Sequence, residues 1–170
     1  MYFVVKKNGR MGIIFRLIEE KDNKEIAELI RNVFREFKID KQGTVYYDPT
    51  TDNLFELFRT PGSEYWLAEE NGVITGGCGV FPTPGLPDGC AELVKFYLSA
   101  EHRGKGTGWR LMEKTFESSR RLGFRKLYLE SLPELKRAIS LYEKAGFKFI
   151  SCAMGNSGHF GCEIWMLKDL

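Results

Sequence analysis

Apolar positions along this chain change period several times, and each change marks an element. Ile13–Ile18 reads as a first strand. Ile26, Leu29, Ile30, Val33, Phe34 and Phe37 then recur at helical spacing behind a capping-box-like start at Asp22 and Glu25. Residues 40–51 form a polar loop carrying Tyr46, Tyr47 and Pro49, after which Asp52 caps a short helix through Phe58. Tyr65–Ala68 is a strand, Asn71-Gly72 a hairpin turn, and Val73–Phe81 the returning partner. A Pro/Gly loop over 82–89 leads into a strand at Ala91–Leu98. The second half alternates more regularly. A helix opens at Gly104–Gly108, buries Leu111, Met112, Thr115, Phe116, Ser119 and Leu122, and stops at Gly123. Lys126–Glu130 is a strand, and Ser131-Leu132-Pro133-Glu134 combines a capping box with an early-turn proline. Leu135, Ala138, Ile139 and Tyr142 continue that helix to Gly146. Strands at Phe147–Ala153 and Cys162–Leu167 close the chain around a polar loop at 155–159. The order predicts a single α/β domain, a mixed sheet with helices packed on it.

With 170 residues, 43% hydrophobic and 28% charged, the chain has the balance of one ordinary globular domain. A net charge of +2 argues against a dedicated nucleic-acid binder. The charge is uneven, however: between His102 and Lys126 eight Lys and Arg residues face only Glu113 and Glu117. Such a zone suits a small polyanion better than a duplex. The four cysteines show neither CxxC spacing nor a partnering histidine pattern, so no metal is expected. No apolar run approaches the length of a membrane span and no signal peptide is apparent, so the expectation is a cytoplasmic protein without membrane partners. Met11 reads as a second start, which makes residues 1–10 either an optional leader or, through Tyr2–Val5, an edge strand.

The sharpest motif is Arg103-Gly104-Lys105-Gly106-Thr107-Gly108, set between a strand and an amphipathic helix. Glycines let successive N–H groups turn toward an anion, and the helix N-terminus adds positive potential. Two rival phosphate loops fail on inspection. A P-loop needs Ser or Thr after its lysine, and Lys105 is followed by Gly106. The dinucleotide fingerprint needs glycine where Trp109 stands.

The chain here resembles the GNAT superfamily of acetyl-CoA-dependent N-acyltransferases. The family's coenzyme loop, Arg/Gln-x-x-Gly-x-Gly/Ala, is matched by Arg103, Gly106 and Gly108. A second signature is matched by Ala138-Ile139-Ser140-Leu141-Tyr142-Glu143-Lys144-Ala145-Gly146-Phe147. Glu92–Leu98 looks like the family's splayed fourth strand, and the likeness extends over residues 12–168. The resemblance implies a mostly antiparallel sheet and acetyl-CoA as cosubstrate. It implies that backbone amides from Gly104 through Lys105, Gly106 and Thr107 to Gly108 hold the pyrophosphate, helped by Arg103. It implies that the backbone of Leu98 pairs with pantetheine, and that the Phe96 amide polarises the thioester carbonyl. Tyr142 then serves as acid or donor to the departing thiolate. The family often has Asn where this chain has Leu135, so that contact is absent or taken over by Ser131.

An ammonium has no lone pair, so amine acetylation needs a base, and Glu92, four residues before Phe96, is the candidate. A strand-end glutamate in a salt bridge is the plainer alternative. For Tyr142 the alternative is core packing; for His159, an unremarkable loop histidine against a substrate-lining one. His102 reads as a turn residue, while Tyr46, Tyr47 and Trp66 either line the acceptor pocket or, the plainer reading, pack as core or lid. Arg110, Lys114 and Arg121 form a solvated face, one member of which meets the coenzyme's 3′-phosphate. The expected activity is direct transfer to a primary amine of a small molecule or amino acid in a ternary complex. Protein lysines or N-termini, and a non-catalytic acetyl-CoA sensor, are the competing readings. A homodimer would match many relatives.

Overall fold

The computed structural model describes residues 12–170 together with the backbone of Phe3–Val4. Its helices are α1 (Asn23–Glu36), α2 (Leu54–Leu57), α3 (Thr107–Arg121) and α4 (Lys136–Lys144). Its strands are β1 (Phe3–Val4), β2 (Ile14–Leu17), β3 (Glu64–Glu70), β4 (Val73–Phe81), β5 (Cys90–Leu98), β6 (Lys126–Ser131), β7 (Lys148–Phe149) and β8 (Ile164–Asp169). Among the described residues these form one sheet in the order β1-β2-β3-β4-β5-β6-β8-β7. Every neighbouring pair is antiparallel except β5 and β6. The edge strand read near the N-terminus is present as Phe3–Val4 paired with Ile14 and Phe15. Tyr2, Val5 and the leader reading of residues 1–10 lie outside the described residues.

Alternation along the strands divides the core into two layers. Ala68, Cys78, Ala91, Leu93 and Leu127 pack with Leu111, Met112 and Phe116 of α3 and Tyr142 of α4. Tyr65, Leu67 and Ile74 pack on the opposite face with Ile26, Ile30 and Phe34 of α1 and Leu54 of α2. No helix among the described residues is long and apolar enough to cross a membrane.

Several expected caps have other employment. Asp22 is buried against Arg16 at 2.6 Å instead of capping α1, and Glu25 accepts from the Ile74 amide. Asp48, not Asp52, accepts from the Thr50 amide at the turn before α2; Asp52 pairs with Arg31. Ser131 ends β6 paired with Ile164, so the helix expected there begins only at Lys136. The strand expected over 147–153 is held to Lys148–Phe149, and its partner begins at Ile164 rather than Cys162.

One irregularity positions the site. Between Gly79↔Val94 and Gly77↔Tyr97 the β4–β5 register shifts, leaving Lys95 and Phe96 opposite Cys78, and Lys95 takes φ 51°. This is a β-bulge, whose extra residue leaves the ladder and reverses the alternation beyond it. Val94 therefore faces the α1 layer, whereas Phe96 and Leu98 face the α3 and α4 layer. The Tyr65 hydroxyl donates to the Lys95 carbonyl at 2.7 Å. Tyr65 reaches it by lying flat on β4, where a Cβ on Gly77 or Gly79 would stand 2.6 Å from its ring.

Candidate active site

β5 and β6 pair over only three positions, Cys90↔Lys126, Ala91↔Leu127 and Glu92↔Tyr128. Beyond Glu92 they diverge while β6 stays paired with β8. This is the splay expected of the strand, and it opens a slot lined by Phe96 and Tyr97 of β5, Glu130 and Ser131 of β6, Tyr142 and Cys162. The slot adjoins a cavity of about 410 Å³ walled in part by residues 42–44, 47–50 and 156–160. Thr44, Glu92, Val94, Lys95 and His159 line both spaces.

Glu92 is 3% exposed. Burial raises its carboxyl to about 7, with the Glu130 charge adding to the rise, while donation from Thr83 and the nearness of His159 and Lys95 oppose it. The Thr83 hydroxyl donates a short bond to one Glu92 oxygen. Lys95, buried at the bulge, reaches Asp48 at 2.9 Å, and His159 Nε2 meets the same carboxylate oxygen at 3.0 Å. Thr50 supplies two more bonds to Asp48. Burial alone would raise the Asp48 carboxyl; these four bonds and the Lys95 charge outweigh it and hold the group well below the usual carboxylate range. Glu130 accepts from Tyr128 and Ser157 hydroxyls, each at 2.8 Å.

Tyr142 stands across the slot, its ring 6.0 Å from Phe96 and 5.9 Å from Phe147. Burial pushes its phenol well above the ordinary value. Cys162 beside it is likewise pushed up, to about 12, by burial and then by the Glu130 and Glu92 charges, so it is a thiol at neutral pH.

On the α3 side, Gly104 and Gly106 adopt φ 73° and 84°, with nothing within 4 Å of where a Cβ would stand. Their backbone thus forms an open cradle at the start of α3, the fit a pyrophosphate needs. Thr107 opens the helix and carries a buried hydroxyl without a hydrogen-bond partner. Gly108 differs: a Cβ there would meet Leu98 at 2.9 Å and Phe96 at 3.1 Å. Lys105 is exposed beside the cradle. Arg103 is engaged within the chain. Its guanidinium makes two bonds to Glu36 at 2.6 and 2.8 Å and a third to the Leu98 carbonyl at 3.0 Å, over the Phe37 ring. That carbonyl, read as a partner for pantetheine, therefore already has one donor.

The structure brings Glu92, Phe96, Tyr142 and His159 to one slot, and sets His102 apart as a turn residue between Ser99 and Glu70. Tyr47 lines the cavity, while Trp66 donates to Ser118 on the α3 layer. The basic face is largely engaged: Arg110 lies over Phe15, Lys114 pairs with Glu117 and Arg121 with Glu64. Asp48, Thr83 and Glu130 were not singled out from sequence. Asp48 had a local signal in its own turn, Asp-Pro-Thr-Thr, but nothing local links it to Lys95 or His159.

Comparison with known proteins agrees with this geometry. The family described as Acetyltransferase (GNAT) family matches residues 25–147. An uncharacterized N-acetyltransferase of Escherichia coli (strain K12), YjgM, is 40% identical over 159 residues, 92% of this chain and 95% of that protein. Among solved structures, a GNAT-family acetyltransferase from Staphylococcus aureus MU50 superposes with a TM-score of 0.84 at 19% identity, over 93% of this chain and 99% of that one. The PaiA N-acetyltransferase of Thermoplasma acidophilum, solved in complex with coenzyme A, gives 0.73 at 19% identity over 94% and 100%. With its sheet splayed beyond Glu92, its glycine cradle at α3 and these matches in sequence and fold, the chain belongs to the GNAT family of acetyltransferases.

Proposed function

We propose that the protein transfers the acetyl group of acetyl-CoA to a primary amine of a small molecule or amino acid, by direct attack in a ternary complex. The observation that carries this reading is the slot, which joins the cavity at Glu92 and His159 and has Tyr142 on its wall. That the PaiA structural neighbour was solved with coenzyme A supports acetyl-CoA as the cosubstrate, and the open glycine backbone at Gly104 and Gly106 supports placing it on the α3 side. The amides of the Gly104–Gly108 cradle take the pyrophosphate, and the acetyl group lies in the slot with its carbonyl toward the Phe96 amide, in the segment that the bulge takes out of the ladder. The amine arrives through the cavity.

The chemistry balances with these groups. A carboxyl that titrates near neutrality accepts one proton from the incoming ammonium. The freed lone pair attacks the acetyl carbonyl, the C–N bond forms, and the C–S bond breaks as Tyr142 donates its proton to sulfur. The attacking nitrogen sheds a second proton, which restores the phenol. The products are the amide, the free coenzyme thiol and one proton carried out through Glu92. Cys162, held as a thiol, is a poor nucleophile, which favours direct attack over an acyl-enzyme.

A panel of amines incubated with acetyl-CoA, followed by release of free thiol and mass analysis of the products, tests the reading. Acetylated small amines are the expected result. Thiol release confined to protein substrates, or none with any amine, would overturn it.

A further inference from the structure

Where the cavity narrows into the slot, three acceptors converge from separate parts of the chain. A carboxylate oxygen of Glu92, one of Glu130 and a ring nitrogen of His159 all lie within 4.8 Å of one another. Each is held from behind: Glu92 by Thr83, Glu130 by Tyr128 and Ser157, His159 by Asp48. With Nε2–H given to Asp48, neutral His159 keeps a lone pair on Nδ1. Glu92 uses one oxygen for Thr83, and its other oxygen has no donor among the described residues although the side chain is almost wholly buried.

An alkylammonium presents three N–H donors in tetrahedral directions. Acceptors placed at about 2.9 Å from such a nitrogen stand about 4.7 Å from one another. The three groups, all within 4.8 Å of one another, are close enough for one such nitrogen to reach them together. We propose that Glu92, Glu130 and His159 form a three-acceptor cradle for the ammonium of the acceptor, so that the substrate is a primary alkylamine bound in its charged form and Glu130 is a binding residue. This rests on the reading that the cavity receives the acceptor amine.

The cradle also narrows the substrate class. The one Lys or Arg among the described residues lining the cavity, Lys95, turns to Asp48, whose two oxygens already take four bonds. A carboxylate next to the amine would meet Glu92 and Glu130 with no uncommitted side-chain cation among the described lining residues to receive it. The acceptor is therefore an alkylamine without an adjacent carboxylate, such as a diamine or amino alcohol, rather than an α-amino acid.

The test has two arms. With the best alkylamine of the panel, Glu130→Gln is expected to raise KM for the amine about tenfold or more and to lower kcat by much less. Glu130→Asp, which keeps the charge, should recover part of the loss, and its melting curve guards against a folding defect. In the second arm butylammonium and its uncharged isostere 1-butanol are titrated calorimetrically into the coenzyme-loaded protein. Preference for the ammonium, lost in Glu130→Gln, is expected. An unchanged KM together with an unchanged preference would overturn the cradle while leaving acetyl transfer intact, and so would α-amino acids outrunning alkylamines. Failure of every amine to release thiol overturns the underlying reading instead, and butylammonium binding still decides the cradle.

Discussion

At the scale of single residues the governing fact is the environment of Glu92. Burial, with Glu130 close by, moves its carboxyl from the ordinary carboxylate range to about 7. A folded-state value above the unfolded one means that the native protein binds the extra proton. The stabilisation from that proton is full below about pH 4.5 and is lost as pH rises through about 7, at a cost of up to about 3 kcal/mol. Glu92→Gln removes both the proposed base and this penalty. Its acetylation rate at neutral pH should fall by about 10²-fold or more, and the ascending limb of the pH–rate profile should disappear. Its melting temperature should equal the wild type's near pH 5 and exceed it at pH 8. Scanning calorimetry across that range, beside the rate profile, checks both signs. A variant slower but equally pH-dependent in stability would show that Glu92 does not titrate where its burial places it.

At the scale of elements, β4 and β5 work as a unit. Gly77 and Gly79 leave a flat surface for Tyr65, Tyr65 holds the Lys95 carbonyl, and the bulge so fixed turns Phe96 toward Tyr142 while Val94 keeps to the other face. Gly77→Ala places a methyl carbon 2.6 Å from the Tyr65 hydroxyl and ring. It should cost about 1–3 kcal/mol in urea unfolding, as overpacking does, and lower kcat more than it weakens coenzyme binding. Unaltered turnover would mean that the bulge holds without Tyr65. This arrangement was only partly legible in the sequence. The limits of β4 and α3 follow from local hydrophobic period and from turn residues such as Asn71-Gly72 and Gly123, and these were read correctly. The bulge was not, since nothing in Glu92–Leu98 alone shows that Lys95 leaves the ladder. Ser131 misled for a related reason: its capping-box pattern is real, but pairing with Ile164 keeps it in β6.

At the scale of the whole molecule, Asp48 joins parts of the chain that are far apart in sequence. It gathers Lys95 from the sheet and His159 from the last loop, and the backbone bond from Gly161 to Gly43 fastens the same two loops at 2.8 Å. Its depressed carboxyl adds stability above the ordinary carboxylate range, and that contribution drains away as pH falls below it. Asp48→Asn leaves Lys95 buried without its anion and should cost about 3–5 kcal/mol at pH 7. The difference from wild type should shrink toward pH 3, which urea titrations at the two pH values would show; a constant difference would assign the loss to packing. Here the sequence was least informative. The Gly104–Gly108 cradle is contiguous and could be read directly, whereas Asp48 and His159 stand 111 residues apart and meet only through the tertiary fold.

The slot between β5 and β6 also governs traffic. Of the residues that wall it, Phe96 and Tyr142 belong to the α3 layer and Tyr97 to the α1 layer, so with acetyl-CoA at the glycine cradle, as proposed, the two substrates would arrive from opposite faces of the sheet. Neither molecule has to pass the other on the way in or out. Spent coenzyme can leave while the amide is still seated, and a fresh amine can enter before the coenzyme is exchanged. Under that placement the passage would impose no compulsory order of arrival or departure, and the pace of turnover would be set by whichever door clears more slowly.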